Sequence, residues 1–112
     1  MKLIVTLKGK ASQASSSFAG VYILGPNLIN DKSHWHQNSS SNAIWYNKEI
    51  GIWAIGSQEY LGSGTADIIS TEEVSSPQEA TTWKYFDGNK FITSVDILVD
   101  DVAKSGTLII IA

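Results

Sequence analysis

The chain lacks cysteine altogether, which excludes disulfide bonds and metal sites built on thiolates. It also has few charges, since charged residues make up 17% of the sequence, below the rough quarter that is typical of globular proteins. The eight basic residues are scattered along the chain and the net charge is −3. Without a basic stripe to attract a phosphate backbone, we expect no nucleic-acid partner.

Long apolar runs are absent as well. No stretch approaches the roughly 18 apolar residues that a membrane-spanning helix needs, so no membrane span is predicted. The run Leu3–Val5 close to the first residue is too short for the apolar region of a signal peptide. We interpret it as part of the first β-strand.

Aromatic residues provide the bulk of a core. The sequence contains four Trp, four Tyr and three Phe in 112 residues, and each large ring buries on the order of 150–250 Å². A chain of this length is expected to form a single domain. Since the chain can form no disulfide bond, packing of this core must stabilise the fold by itself.

Two hairpins stand out in the pattern. Ile44–Tyr46 and Ile52–Ile55 are aromatic and β-branched segments on either side of the polar turn Asn47–Glu49, which is typical of a hairpin. A second hairpin is predicted over Trp83–Ile92, because Asp87-Gly88 supplies residues that tolerate the positive φ of a primed turn. We expect the rest of the chain to pack around the first hairpin.

The remaining segments also favour an all-β fold. Gly9–Ser17 is predicted to be a loop, and at most one short helical turn is expected near residues 76–80, where Ser76-Pro77 begins a capping-box arrangement. About nine short strands then predict a compact antiparallel β-sandwich or barrel. The other predicted strands are Lys2–Lys8, Gly20–Leu24, Ser33–His36, Thr65–Ser70, Thr93–Asp100 and Thr107–Ile111. The predicted core consists of Tyr22, Ile44, Trp53, Ile55, Ile68, Trp83, Val95 and Ile97.

Several of these positions form a pattern of aromatic residues and turns, namely Gly20-x-Tyr22, Asn30–Lys32, Ile44–Tyr46, Trp53-x-Ile55-Gly56, Pro77 and Trp83. Over roughly residues 18–100 the chain resembles small Trp-rich all-β modules of large extracellular multidomain proteins of protists and marine invertebrates. The resemblance implies a binding or adhesion module in an extracellular setting, with any signal peptide outside the present sequence. Such modules often contain cysteine, so the lack of cysteine leaves a cytosolic setting open.

No catalytic residue, and no cofactor, is predicted. Glu72 and Glu73 could act as a pair of carboxylates in glycoside hydrolysis, but a charged loop is the favoured interpretation. Asp96, Asp100 and Asp101 could supply oxygen ligands to calcium, although a solvated strand edge that discourages edge pairing is favoured. No nucleophile motif and no phosphate-binding glycine loop is present, so we expect a protein that is not an enzyme.

The two histidines, His34 and His36, are two apart on a predicted strand, so both rings can face one side. Imidazole pairs at this spacing occur in metal sites, with Asp31 or Glu59 as candidates for a third ligand. Surface histidines that flank Trp35 are the favoured interpretation, and no metal site is predicted.

Recognition through tryptophan is the functional hypothesis. Ile44 and Tyr46 are expected to point inward, so Trp45 between them should point outward, and Trp35 also lies beside polar residues. Exposed indole rings stack well on sugars or on apolar protein surfaces. The predicted ligand-binding residues are Trp35, Trp45, His36, Asn38 and Asn42.

The sequence therefore favours a non-catalytic binding module that recognises carbohydrate or a protein surface. The alternative is a structural or assembly domain that forms homo-oligomers through its apolar terminal strands. In that alternative, Thr107–Ile111 lies in the sheet beside Leu3–Leu7, because an unpaired apolar strand would be a template for aggregation.

Overall fold

A computed structural model describes residues 1–38 and 40–103. They form nine antiparallel strands in one sheet that curls into a nearly closed barrel, together with one short helix and three single turns of 3₁₀ helix. The all-β prediction, with nine antiparallel strands, is confirmed. The strands are β1 (Lys2–Leu7), β2 (Gly20–Leu24), β3 (Trp35–Gln37), β4 (Asn42–Asn47), β5 (Ile52–Ser57), β6 (Ile68–Ser70), β7 (Trp83–Phe86), β8 (Phe91–Ser94) and β9 (Ile97–Asp101).

The sheet has the strand order β8-β7-β6-β5-β4-β3-β2-β1-β9. Strands β8 and β9 follow each other in the chain but lie at opposite ends of this order, so the chain crosses the gap between the two sheet edges at Val95-Asp96. The prediction of one continuous strand over Thr93–Asp100 is therefore wrong. The bend also explains why Val95, predicted to be buried, has 88% of its surface exposed.

The barrel interior holds the main core, and every predicted core residue except Val95 is buried. The hairpin β4–β5 lies in the middle of the strand order, where Ile44 pairs with Ile55 and Tyr46 with Trp53. The Trp53 ring packs 5.4 Å from Tyr46 and 6.0 Å from Trp35, measured between ring centroids. Both predicted hairpins are confirmed, and β3 and β6 are shorter than predicted.

The segment predicted to be a loop after β1 is instead helix α1 (Gly9–Ser15), followed by a 3₁₀ turn at Ser16–Phe18. Ala11 and Ser15, four residues apart, are its buried residues, and the helix contacts β7. The sequence of α1 has no strongly apolar stripe, so the helix depends on contact with the barrel for its stability. The expected helical turn is present at Pro77–Glu79, where it contacts β9, and another 3₁₀ turn occupies Gln58–Tyr60.

Strand β1 is paired on both sides, with β2 along one edge and β9 along the other. This confirms that Leu3–Leu7 pairs with a neighbour, and Leu3 and Val5 are buried in the core. The predicted strand Thr107–Ile111 lies outside the described residues. Within residues 1–38 and 40–103, no helix has the length and apolar character needed to span a bilayer.

Candidate functional site

Trp45 points away from the barrel interior, as the alternation of β4 predicts, but it is fully buried. It forms a second apolar cluster with Ala43 and Ala54 on the outer face of the sheet, and this cluster is covered by Ile29, Leu61 and Ala66. The indole Nε1 of Trp45 donates a hydrogen bond of 3.0 Å to the backbone oxygen of Ser63. The expectation that Trp45 is exposed is therefore wrong, because a loop distant in sequence covers the ring.

Asn30 holds this covering loop in place. Its side-chain Nδ2 donates to the backbone oxygen of Tyr46 at 2.7 Å and to that of Gly62 at 3.1 Å. Asn30 has a φ of 54°, in the left-handed region that asparagine tolerates better than most residues. The tight turn predicted at Asn30–Lys32 thus joins the outer loop to the central hairpin.

Trp35 is also buried, with 4% of its surface exposed, so its predicted exposure is wrong too. Its ring packs in the main core and borders a hollow of about 260 Å³ that Met1 and Leu24 also line. Asn42 is buried, and its Nδ2 donates to the backbone oxygen of Ser17 and to Oε1 of Gln37, both at 2.9 Å. Such an arrangement offers no exposed tryptophan platform.

Asn38 is exposed, and His36 is partly exposed and faces His34. The participation of these two residues in ligand binding stays a prediction, as does that of Trp35, Trp45 and Asn42. The two indole rings that this prediction requires to be exposed, those of Trp35 and Trp45, are buried.

A different set of aromatic residues surrounds an open groove of about 370 Å³. Three of its rings have large exposed fractions, 43% for Tyr60, 38% for Phe86 and 39% for Phe91. Phe86 and Phe91 face each other across hairpin β7–β8 with their ring centroids 5.4 Å apart. We call this site the aromatic groove, and its lining is Tyr60, Gly64, Thr65, Ala66, Asp67, Phe86 and Phe91.

Backbone hydrogen bonds fix the two walls of the aromatic groove to each other. The amide of Phe86 donates to the backbone oxygen of Asp67 at 2.8 Å, and the amide of Asp67 donates to that of Ile55 at 3.0 Å. At the hairpin tip, Oδ1 of Asp87 accepts from the amides of Asn89 and Lys90, both at 2.8 Å. These bonds lower the pKa of the Asp87 carboxyl group, and the bond from the Lys90 amide has the larger effect. The two phenylalanines are thus carried by an ordered turn.

Asp67 supplies the charge of the groove. Burial raises the pKa of its carboxyl group. The pKa of Tyr60 is raised, first by the charge of Glu59 and by a hydrogen bond with it, and to a smaller extent by the charge of Asp67. The groove therefore combines an acceptor carboxylate with apolar ring faces.

A polar hollow of about 290 Å³ adjoins the aromatic groove, and Gly64 lines both. Its side chains include the amides of Asn30 and Asn47 and the opposite charges of Lys48 and Glu49. An aromatic surface and a surface rich in donors and acceptors are therefore contiguous along the loop at residues 62–64.

Three of the other carboxylates singled out in the sequence, those of Glu72, Asp100 and Asp101, accept hydrogen bonds from backbone amides. Oε1 of Glu72 accepts hydrogen bonds from the amides of Thr81 and Thr82 at 2.7 and 2.8 Å, and these bonds help to lower its pKa. Asp100 and Asp101 each accept from a nearby backbone amide. Within the described part of the chain, no three His, Cys, Asp or Glu side chains are grouped closely enough to hold a metal ion together.

Comparisons of the chain with family models, with curated proteins and with solved structures found no match in any of the three. The resemblance to extracellular modules therefore rests on the residues quoted for it.

Sequence reasoning missed the aromatic groove for an identifiable reason. Tyr60 and Leu61 are adjacent in one loop, and the structure buries part of Leu61 over Trp45 while leaving Tyr60 exposed. Phe86 and Phe91 pair across the hairpin loop at residues 87–90. A two-residue turn at Asp87-Gly88 would pair Phe86 with Asn89 instead, so the predicted turn does not by itself bring the two rings together.

Proposed function

We propose that the protein is a non-catalytic module that binds carbohydrate in the aromatic groove. The observation that carries this proposal is that three exposed rings, those of Tyr60, Phe86 and Phe91, line one groove together with the carboxylate of Asp67. Binding sites for small ligands are typically apolar surfaces with a few well-placed polar groups.

The chemistry of the groove suits a sugar ring. A pyranose has a face of C–H groups that packs on an aromatic ring, and hydroxyls around its edge that need hydrogen-bond partners. The phenylalanine pair supplies the platform, Asp67 supplies an acceptor, and the Thr65 hydroxyl supplies both a donor and an acceptor. A sugar stacked on Phe86 therefore finds partners for its hydroxyls at the same site.

The adjoining polar hollow extends the proposal to a chain of sugars. A second residue of the same glycan would pass Gly64 and reach the amides of Asn30 and Asn47. The Asn30 amide group already donates to two backbone oxygens, so it offers its own oxygen to the ligand. An oligosaccharide is therefore expected to bind more tightly than a monosaccharide.

A protein partner fits the groove less well. A standard interface buries on the order of 800 Å² on each partner, whereas this groove is a small concave site between one loop and one hairpin. Assembly through the terminal strands stays a prediction, because Thr107–Ile111 lies outside the described residues.

A glycan array followed by calorimetric titration of the best oligosaccharide tests the proposal. Phe86→Ala removes a ring of the platform, and Leu98→Ala is its matched control, because Leu98 is an exposed apolar residue outside the groove. We expect Phe86→Ala to weaken binding at least tenfold and Leu98→Ala to leave it unchanged. No glycan bound by the wild-type protein, or equal weakening by both substitutions, would contradict the proposal.

A further inference from the structure

The histidine pair lies on the outer side of the barrel wall, separate from the aromatic groove. Trp35 and Gln37 point into the protein, so the alternating residues His34 and His36 point to the other face. Their rings are perpendicular, with centroids 4.5 Å apart. The two Nε2 atoms face each other at 2.7 Å. Two imidazole nitrogens therefore converge on one point.

Gly25 makes room for this convergence. A Cβ atom at position 25 would lie 2.3 Å from Nε2 of His34, well inside van der Waals contact. The amide of Gly25 donates to the backbone oxygen of His34 at 2.8 Å, which fixes the close approach of the two segments. His34 is 3% exposed, while the partly exposed His36 connects the pair to solvent.

No arrangement of protons on the two neutral rings gives every ring N–H a hydrogen-bond acceptor within the described part of the chain. When both rings are neutral, one Nε2–H donates to the other Nε2, and the accepting ring must carry its proton on Nδ1. Both Nδ1 atoms are buried and have no hydrogen-bond partner among the described residues. Each tautomer of the neutral pair thus leaves one buried N–H without an acceptor, which is costly. The hydrogen bond between the rings is therefore not a complete explanation of their placement.

We propose that His34 and His36 bind a divalent first-row transition metal ion through their two Nε2 atoms. Metal–nitrogen distances of about 2.0–2.1 Å place two ligand nitrogens roughly 3 Å apart, so the rings need to separate by only a few tenths of an ångström. Imidazole suits copper, zinc and nickel, and the Irving–Williams order makes Cu²⁺ the tightest of these. To hold the ion, both rings must be neutral with their protons on Nδ1, so the proton between the two Nε2 atoms moves to Nδ1 of the ring that donated it.

The remaining coordination positions belong to water or to an external ligand. In the described ranges, no Asp, Glu, Cys or third His joins the pair as a metal-binding group. The candidate third ligand Asp31 instead pairs with Lys48 at 2.7 Å. With two protein ligands and no acceptor behind either ring, the site is expected to be of moderate affinity and open to exchange.

Titration of the tag-free protein with CuCl₂ tests the inference. The chain contains two histidines in all, so every imidazole signal must come from this pair. We expect one Cu²⁺ ion per chain, quenching of tryptophan fluorescence, and an electron paramagnetic resonance spectrum with coupling to two nitrogens. Absence of saturable binding, or a spectrum with oxygen ligands alone, would overturn the inference.

Histidine variants test whether the imidazole rings of His34 and His36 bind the Cu²⁺ ion. His36→Gln removes the partly exposed ligand, and circular dichroism shows whether the variant is folded. We expect it to weaken Cu²⁺ binding at least tenfold, and His34→Gln to do the same. The matched control is Asp100→Asn, which removes a carboxylate from the acidic group near β9 and is expected to leave binding unchanged. Unchanged binding in His36→Gln, or lost binding in Asp100→Asn, would refute the assignment to the histidine pair.

Discussion

The side-chain amide of Asn30 donates a hydrogen bond of 2.7 Å to the backbone oxygen of Tyr46, sixteen residues away in the central hairpin. The same amide holds Gly62, at the start of the loop that covers Trp45 and continues into the aromatic groove. One residue in a left-handed turn thus couples a strand of the core to a wall of the candidate binding site.

Asn30→Asp is expected to loosen this loop. The substitution keeps the size of the side chain and its tolerance of positive φ, but it removes the Nδ2 donors and places a carboxylate against two carbonyl oxygens. We expect a loss of about 1–3 kcal/mol in the free energy of unfolding, measured by urea denaturation. The matched control is Asp31→Asn in the same turn, which breaks an exposed ion pair and should cost clearly less than Asn30→Asp, because exposed ion pairs contribute little to stability. Equal effects of the two substitutions would refute the coupling role of Asn30.

Trp45→Ala is expected to destabilise the protein severely. The ring is fully buried in the outer cluster, and truncation of buried aromatic residues typically costs about 3–5 kcal/mol. Trp53→Ala, in the main core, should cost a similar amount. Chemical denaturation measures both, with Leu98→Ala as the exposed control. A loss below about 1 kcal/mol for Trp45→Ala would show that the loop does not cover the ring.

Phe86→Ala should separate stability from ligand binding. Its ring is partly exposed and packs on Phe91, and such an aromatic contact contributes about 0.5–1.5 kcal/mol. We therefore expect a stability loss of that size by denaturation, with no change in the circular dichroism spectrum at 25 °C. An unfolded variant would show instead that Phe86 is a core residue.

Stability is expected to fall as the pH falls below 6.5. Burial, and to a smaller extent the charge of His34, lower the pKa of His36 from its ordinary value of 6.5. The unfolded chain then binds more protons than the folded chain between 6.5 and the lower folded pKa, so acidification favours unfolding. Above 6.5 the imidazole is neutral in both states and this loss disappears.

Urea midpoints at pH 7.5 and pH 5.0 measure this effect in metal-free buffer. The decrease in the urea midpoint from pH 7.5 to pH 5.0 should be smaller in His36→Gln than in the wild-type protein. Some decrease is expected in the variant too, because other titrating groups act in both proteins. An equal decrease in both proteins would contradict the role of His36.

The hairpins were predictable because their signals are local. Asp87-Gly88 between two aromatic segments indicates a hairpin turn, and the structure has a hairpin there, with Phe86 paired with Phe91. The same alternation correctly predicted that Trp45 lies on the face opposite Ile44. It could not show that residues 61–66, supported by Asn30, cover that face.

Other features depended on contacts that no local pattern records. Helix α1 has two buried residues and takes its support from the barrel, so its sequence resembles a polar loop. The alternation of Ile97 and Val99 extends formally to Val95, yet the chain bends there to join the two sheet edges. The aromatic groove was missed for the same reason, because Tyr60 meets the phenylalanine pair only in the folded chain.

The most direct measurement of the central claim is an amide chemical-shift map of the ¹⁵N-labelled protein, titrated with the best oligosaccharide from the array. Carbohydrate binding in the aromatic groove predicts saturable shifts concentrated at residues 60–67 and 86–91, with smaller ones at Asn30 and Asn47. Saturable shifts concentrated instead around Trp35 and Asn38–Asn42, or no shifts at millimolar oligosaccharide, would contradict the account.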